Sequence, residues 1–373
     1  MNLLNSKYIL SNKRHGWIDY DRGISIVLVT YRHTFENLER AASAQLNAHS
    51  WLEYINVFFF GFRMPLFFIA SGMFIASSME KAGYTRYVKN RMLNILYPML
   101  LWGVIQISLQ LLFSRYTSSS DKATWHSYYY LITNPRATGQ FWYLNALFFV
   151  GIIYATLKFL LQFKIRHQLI FGCMLYAING YLHAYAIESW LFADIFKYYL
   201  FFAIGDLIAQ FMKSEKASRL FASLYLIVPL LVAFILIQLV FTSINLNADN
   251  NYQVENGMPL FFLLVALVGC ALSISISFTL KKWDAFKFIR VVGYNSVHIY
   301  CMQILVIGVV RIMLMNVFGF NNVPLIFFLT LAAAVVLPML FYNLMMRMGC
   351  WWLFTLKKPV AELESIQMNQ LKK

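Results

Sequence analysis

About ten apolar stretches, each long enough to cross a hydrocarbon layer, constrain this chain more than any other feature of its sequence. A helix needs roughly 20 residues to span such a layer. The chain is 60% hydrophobic and 13% charged, and a water-soluble core does not bury that much apolar surface. The sequence therefore predicts an all-α, polytopic integral membrane protein with about ten transmembrane helices, near residues 17–36, 54–78, 95–114, 140–161, 168–187, 191–212, 220–245, 258–280, 291–316 and 323–346.

The positive charge of the chain indicates its topology. Lysine and arginine concentrate in alternate segments, which are the N-terminal tail, 81–91, 158–166, 213–219, 281–290 and the stretch after 346. Loops with such an excess face the cytoplasm in membrane proteins. We therefore expect both termini to be cytoplasmic, with tails over residues 1–16 and 347–373. Since topology accounts for the net charge of +15, we expect no nucleic-acid partner.

Nothing else in the sequence indicates a second domain or a bound cofactor. The four cysteines stand singly in apolar windows, without the spacing of metal ligands or of a disulfide framework. Charged residues interrupt the first window and no small-residue cleavage site follows it, so we expect it to be retained rather than removed as a signal peptide. The sequence predicts a single membrane domain over residues 1–373, with no metal and no tightly bound cofactor.

The first window combines a membrane-spanning length with an unusual pair of polar residues. Arg22 and His33 are eleven residues apart, which is about three helical turns and about 16 Å along the axis. Both side chains therefore project from one face of the helix. Because a cation and an imidazole do not face lipid without cost, we expect this face to border a cavity inside the protein.

The second window contains Arg63 close to Pro65, and Ser71 next to Gly72. The proline removes a backbone hydrogen bond and predicts a kinked or broken helix. A buried guanidinium needs a cavity or a partner, so Arg63 is a candidate binding residue. The small residues Ser71 and Gly72 indicate close helix packing.

A basic cluster, Arg86, Lys89 and Arg91, precedes the third window. The positive-inside rule explains the presence of each of these residues when it is considered singly. The alternative is that they bind the phosphate groups of a ligand that arrives from the cytosol. Arg91, which we expect next to a helix start, is the best candidate.

The longest predicted external loop, residues 115–139, is rich in aromatic side chains and leads into Trp142 and Tyr143. Aromatic residues at this level often anchor a protein at the membrane interface. Collectively they also suit a sugar, because its apolar ring face packs on indole or phenol.

These features together resemble the acyltransferase-3 family of membrane-bound O-acyltransferases, which modify bacterial surface glycans. The first helix of that family has an Asp-x-x-Arg-Gly start and an arginine followed by ten residues and a histidine, which Asp19, Arg22 and His33 match. The lack of an added soluble domain resembles the short polysaccharide O-acetyltransferases, including the fucose-acetylase-like group. Further similar segments follow in the family's order, at 64–72, 91–98, 141–144, 202–205 and 293–300.

The resemblance implies a multi-pass enzyme of the bacterial cytoplasmic (inner) membrane, surrounded by membrane lipid. It would transfer an acyl group, most often acetyl, from cytoplasmic acetyl-CoA or another acyl-CoA to a hydroxyl of a surface or exported glycan or of a lipid-linked saccharide. The donor's pantetheine arm would follow a groove beside Arg22. The implied catalytic residues are His33 as general base and Arg22 as the residue that positions the donor or steadies its oxyanion. The implied substrate-binding residues are Asp19, Arg63, Ser71, Arg91, Trp142 and Tyr143.

Three departures and three alternatives accompany this interpretation. Gln303 stands where many members have a histidine, Asn94 stands where a second basic residue is common, and Arg32 beside His33 is unusual for the family. A transporter or flippase for an anionic glycolipid could use the same membrane arginines, and a receptor-like helical protein would need no chemistry at all. Within the enzyme hypothesis, His33 could instead act as a nucleophile through an acyl-histidine intermediate.

Overall fold

Helices form nearly all of the computed structural model, which describes residues 16–113, 123–247 and 253–357 and contains no strand in those ranges. Two short π-helical turns, Met92–Leu96 and Met313–Val317, each continue an α-helix. Numbered in chain order, the described α-helices are α1 (Gly16–Asn47), α2 (Ser50–Phe58), α3 (Phe60–Gly72), α4 (Ile75–Arg91), α5 (Tyr97–Leu112), α6 (His126–Thr133), α7 (Trp142–Phe159), α8 (Ile165–Ala184), α9 (Leu191–Met212), α10 (Glu215–Phe221), α11 (Leu224–Asn247), α12 (Gln253–Gly257), α13 (Pro259–Trp283), α14 (Lys287–Tyr294), α15 (Ser296–Ile312) and α16 (Val323–Arg347).

Seven helical segments of the described ranges are long and apolar enough to cross a membrane, and each coincides with a predicted window. The other three windows fall on α1, α8 and α9, which have 32, 20 and 22 residues and are not among these seven segments. The all-helical class is confirmed, whereas the count of ten and the side of the termini stay predictions. The seven segments are Ser50–Lys81, Gly83–Leu112, Trp142–Phe159, Leu224–Asn247, Pro259–Trp283, Ser296–Val317 and Val323–Arg347.

Two local predictions near the second window need correction. The helix is interrupted at Phe59, one residue between α2 and α3, while Pro65 lies inside α3. Arg91 is not next to a free helix start, because the π-helical turn joins α4 directly to α5. The basic cluster therefore belongs to a helical segment that continues into the membrane span.

Helix α1 is the centre of the bundle, with α2, α3, α13, α14, α15 and α16 packed around it. Two glycines let α14 touch its backbone: a Cβ at Gly23 would overlap the Ile289 carbonyl, and a Cβ at Gly293 would overlap the Asp19 carbonyl. Small residues thus allow direct backbone contact, as is usual in membrane helix packing. The pair holds the start of α1 firmly against α14.

Helices α1 and α15 run in the same direction and share a fixed register. The Thr30 hydroxyl donates to the Gln303 side-chain oxygen over 2.6 Å, across a sequence separation of 273 residues. The contact between Asp19, near the start of α1, and Gly293, just before α15, agrees with this direction. A residue of α15 therefore lies level with the α1 residue whose number is about 273 lower, and heights in the two helices can be compared.

Candidate active site

His33 lines a cavity of about 1390 Å³ at the Asn47 end of α1, which we call the His33 cavity. Residues of α1, α3, α5, α7, α9, α12 and α15 form its wall. The cavity brings together three of the residues that the sequence singled out. Its polar and aromatic lining includes Arg32, His33, Glu36, Arg63, Trp142, Tyr198, Glu255, Tyr300 and Arg311.

Glu36 orients His33. The Nδ1 atom of His33 lies 3.4 Å from a carboxylate oxygen of Glu36, one helical turn further along α1. The other carboxylate oxygen of Glu36 accepts a hydrogen bond from Arg32 Nε. With the proton on Nδ1, the Nε2 atom carries the lone pair that a base requires. Glu36 was not identified from the sequence, although it stands three residues from His33.

Arg63 supports the wall of the cavity. It is 2% exposed, its Nη1 donates to the Leu28 carbonyl over 3.0 Å, and it reaches the Asn56 side-chain oxygen at 3.3 Å. The guanidinium groups of Arg32 and Arg63 lie 4.8 Å and 5.0 Å from the centre of the Phe60 ring. Arg63 therefore borders the predicted cavity, but its hydrogen bonds fix α3 to α1 just below His33.

Trp142 borders the cavity with its ring already in contact with protein groups. The Arg136 guanidinium lies 4.4 Å from the ring centre, and the Tyr198 ring stacks at 5.7 Å. Arg136 is held in turn by a two-pronged pair with Asp194, at 2.6 Å from Nη2 and 2.9 Å from Nε. The indole is half-buried, so only part of it is available to a sugar.

A second buried ion pair lies close by. Lys197 Nζ is 3.1 Å from Glu255 and donates to the Asn256 side-chain oxygen over 2.9 Å. Burial by itself raises the pKa of Glu255, but Lys197 and Arg136 outweigh burial and hold that pKa below its ordinary value. Glu255 is therefore a carboxylate at neutral pH, and Glu255 and Asn256 present oxygen atoms on the cavity wall.

Arg22 lines a separate pocket of about 390 Å³, which we call the Arg22 pocket. Four of the predicted site residues meet there. They come from the start of α1, from α3 and from α4, and the Arg22 guanidinium lies 5.7 Å from the Phe74 ring centre. The lining includes Asp19, Arg22, Ser71, Tyr87, Asn90, Arg91 and Asn94.

Arg91 enters the Arg22 pocket from a buried position. Its Nε donates to the Tyr87 hydroxyl over 2.7 Å, and its Nη1 donates to the Leu147 carbonyl over 3.0 Å. The guanidinium rests against Gly151 of α7, where a Cβ would overlap it. Arg86 and Lys89, the other residues of the basic cluster, are exposed and do not line the pocket.

The two acids of the first motif hold helices together. Asp19 is buried and pairs with Arg290 of α14, whose Nε lies 3.4 Å away. Asp21 is also buried and accepts a hydrogen bond from the Ser273 hydroxyl of α13 over 2.8 Å. Asp19 still borders the Arg22 pocket. Its ion pair with Arg290 shows that this motif residue also holds α1 against α14. Asp21 was not identified from the sequence.

An aromatic layer lies between the two pockets. Tyr300 is level with about residue 27 of α1 by the shared register of α1 and α15, midway between Arg22 and His33. The ring centre of Tyr300 is 5.2 Å from that of Tyr143. The ring centre of Tyr143 is in turn 5.3 Å from that of Phe67. The charge of Arg22 also reaches the Tyr143 hydroxyl. Tyr143 therefore lies between the pockets, and the groove predicted beside Arg22 is interrupted at this layer.

Comparison with known proteins identifies the family to which this chain belongs. The model of a family described as an acyltransferase domain matches residues 15–343, from the start of α1 into α16, and so includes both pockets. No curated protein and no solved structure matches the chain. Because the family match covers most of the 373 residues, this chain belongs to the acyltransferase-3 family, and its activity is acyl transfer.

Proposed function

We propose that this protein transfers an acyl group, acetyl in the first instance, from cytoplasmic acyl-CoA to a hydroxyl of a surface or exported glycan in the bacterial inner membrane. The observation that carries the proposal is that one face of α1 borders both pockets, with Arg22 in one and His33 in the other. The two residues are about 16 Å apart along the helix. Donor and acceptor would thus approach one helix from opposite ends.

The donor would bind in the Arg22 pocket. Guanidinium groups bind phosphate in a bidentate manner, and Arg22 and Arg91 both line this pocket. By the positive-inside rule we expect this end of α1 at the cytoplasm, from which acyl-CoA would enter. The acyl end of the donor would then extend along α1 toward His33.

His33 would act as general base. Its Nε2 accepts the proton of the acceptor hydroxyl while the hydroxyl oxygen attacks the thioester carbonyl. The carbon–sulfur bond then breaks, the acyl group stays on the acceptor oxygen, and the thiolate of CoA takes the proton from the imidazolium. Glu36 would stabilise that imidazolium, since it contacts Nδ1 at 3.4 Å.

Arg22 is too far from His33 to stabilise an oxyanion there, because three helical turns separate them. We assign it to the phosphate end of the donor. The charges of Arg32 and Arg63 do reach His33, and they would supply the positive field for the developing oxyanion.

Transfer would require the acyl group to pass the aromatic layer. Tyr143 is 6% exposed and is the member of the layer that lies between the two pockets. A rotation of its side chain would open a path without any movement of α1. Tyr143 would therefore contact the donor arm during transfer, in agreement with its assignment from the resemblance.

The test is transfer of radiolabelled acetyl from acetyl-CoA in membranes with and without the protein, followed by analysis of the glycans. Label should appear in glycan only with the wild-type protein, and His33→Ala should remove it. His183→Ala is the matched control, because His183 is an exposed histidine outside both pockets. Movement of a glycolipid across the membrane without labelling would favour the flippase instead.

A further inference from the structure

Arg311 lines the His33 cavity without a partner among the residues that the structure describes. It projects from α15, its side chain is half-buried, and its Nε is buried with no hydrogen bond. Other arginines of the cavity are held by the protein. Arg32 binds Glu36, Arg136 binds Asp194, and Arg63 binds the Leu28 carbonyl.

An unpaired guanidinium at this place is costly. Arg311 lies in Ser296–Val317, one of the segments apolar enough to cross a membrane. Charged groups within such segments usually face a cavity and pair with another group. The Nε of Arg311 is shielded from water, and a shielded donor without a hydrogen-bond partner disfavours the folded state. A partner that arrives with the ligand would remove this cost.

The position of Arg311 relates it to His33. Tyr300, Ile304, Gly308 and Arg311 line the cavity at helical spacing and so form one stripe of α15. Since positions in α15 are level with α1 residues about 273 lower, Arg311 is level with about residue 38. It therefore lies roughly 7 to 8 Å beyond His33 along the bundle axis.

The charge of the cavity wall favours an anion. The lining residues that the structure describes include five arginines and two glutamates, Glu36 and Glu255, so positive charges outnumber negative ones. Both glutamates are paired, with Arg32 and with Lys197. A cavity with walls of one sign of charge concentrates ligands of the opposite sign.

We propose that the acceptor carries an anionic group, a carboxylate or a phosphate, which Arg311 binds while the hydroxyl to be acylated lies at His33. This inference rests on the proposed function and names the class of its acceptor. A guanidinium binds either anion through two parallel hydrogen bonds. An axial offset of roughly 7 to 8 Å between the two helix positions leaves room for an anionic group on the modified sugar or on the sugar next to it.

The first experiment asks which glycans receive the label. Membranes of the source cells, lacking their own copy of the protein, receive wild-type or variant protein and radiolabelled acetyl-CoA, and the glycans are separated by anion exchange. We expect the label in the acidic fraction, a loss of about tenfold or more with Arg311→Gln, and a smaller loss with Arg311→Lys. Arg166→Gln, which removes an exposed arginine outside both pockets, should leave labelling unchanged.

A second experiment measures binding without transfer, so that the acceptor class is tested even if the proposed function is wrong. Purified protein in nanodiscs of phosphatidylcholine is heated with the acidic glycan fraction of the same cells. The fraction should raise the unfolding temperature of wild type, because a ligand that binds the folded state stabilises it, and it should not raise that of Arg311→Gln. Retained stability of Arg311→Gln without glycan shows that the variant is folded.

Chemical treatment identifies the anion. Reduction of the carboxyl groups of the glycan should abolish the stabilisation if the group is a carboxylate, and hydrofluoric acid should abolish it if the group is a phosphodiester. Equal stabilisation by neutral and acidic glycans would overturn the inference. So would stabilisation that depends on Arg311 when phosphatidylglycerol replaces part of the phosphatidylcholine and no glycan is added, because Arg311 would then bind a lipid headgroup. Binding of acidic glycan without any labelling would retain the inference and reject the acyl transfer to glycan.

Discussion

The two pockets on α1 differ in size and in the way their arginines are held. In the Arg22 pocket, of about 390 Å³, Arg91 is fixed by hydrogen bonds to Tyr87 and to the Leu147 carbonyl. In the His33 cavity, of about 1390 Å³, Arg311 has no partner within the described part of the chain. The arginine of the smaller pocket is thus held in place by the protein. In the function proposed above, the ligand of the larger cavity would supply the partner of Arg311.

The strongest test of this division is His33→Ala, which should separate chemistry from donor binding. Transfer should fall by about 10² to 10⁴-fold, the usual contribution of a general base. The affinity for acyl-CoA should stay the same, because Arg22 lies in the other pocket. Transfer rates and equilibrium binding of a non-hydrolysable acyl-CoA analogue measure the two effects.

Mass spectrometry of the wild-type protein distinguishes the two forms of histidine catalysis. A general base forms no covalent intermediate, so acid-quenched wild-type protein should show no acyl group on His33 by mass spectrometry. An acyl-His33 peptide that appears and decays at the transfer rate would establish nucleophilic catalysis. A folded His33→Ala protein that transfers at the normal rate would reject both.

Arg91→Gln should act on the donor alone. We expect the apparent KM for acyl-CoA to rise by about 10 to 100-fold, because a charge-assisted contact to phosphate is lost, with the acceptor KM unchanged. Lys89→Gln is the matched control, since Lys89 is an exposed neighbour outside the pocket. Equal effects of the two substitutions would mean that Arg91 contributes only its positive charge to this region and does not contact the donor phosphate.

Glu36→Gln should lower kcat by about tenfold or more, because His33 loses the carboxylate that orients it. The KM for acyl-CoA should not change, which separates a positioning role from a general loss of folded protein. Glu39→Gln, an exposed residue on the same helix, controls for the loss of a negative charge. A Glu36→Asp variant that recovers part of kcat would support the assignment.

Trp142→Ala should have a smaller effect on the acceptor, because protein groups already contact much of its ring. We expect the acceptor KM to rise by about two- to tenfold, the range for loss of one aromatic contact, while acyl-CoA hydrolysis stays near its normal rate. Parallel loss of both activities and of membrane-inserted protein would show that Trp142 only anchors the chain.

The smallest effect concerns pH and the ion pair of Glu255. Its pKa in the folded protein is below the ordinary value of 4.5, so its carboxylate contributes stability above about pH 4.5 that is lost as the pH falls through the folded pKa. The unfolding temperature of wild type should decrease over that acidic range, and Glu255→Gln should decrease less. Glu215→Gln, which changes an exposed side chain, should follow wild type.

The all-helical class and the common face of Arg22 and His33 were predictable from the sequence. Apolar windows and an eleven-residue spacing depend only on helix geometry and on the thickness of a membrane. The separation into two pockets was not predictable, because the layer between them joins Tyr143 of α7 to Tyr300 of α15. Contacts between distant segments of the chain leave no local pattern.

Other residues show where sequence reasoning stops. Glu36 stands at a helical spacing from His33 and could have been identified, whereas the pairing of Asp19 with Arg290 depends on the crossing of α1 and α14. The partners of Trp142 come from α9 and from the segment before α7. Arg311 was not identified from the sequence, and only the fold shows it in the cavity.

The π-helical turn after α4 makes chain length a functional property of this protein. A π turn holds one more residue than the α-helical turn it replaces, and such turns often occur at functional sites. Each residue added to or removed from a helix rotates the part of the helix before that residue by roughly 100° relative to the part after it. Deletion of Met92 or of Leu93 would therefore convert the π turn into an α-helical turn and leave Arg91 against Gly151. A second deletion has no extra residue left to remove, so it would rotate Arg91 relative to α5 and turn it away from Gly151.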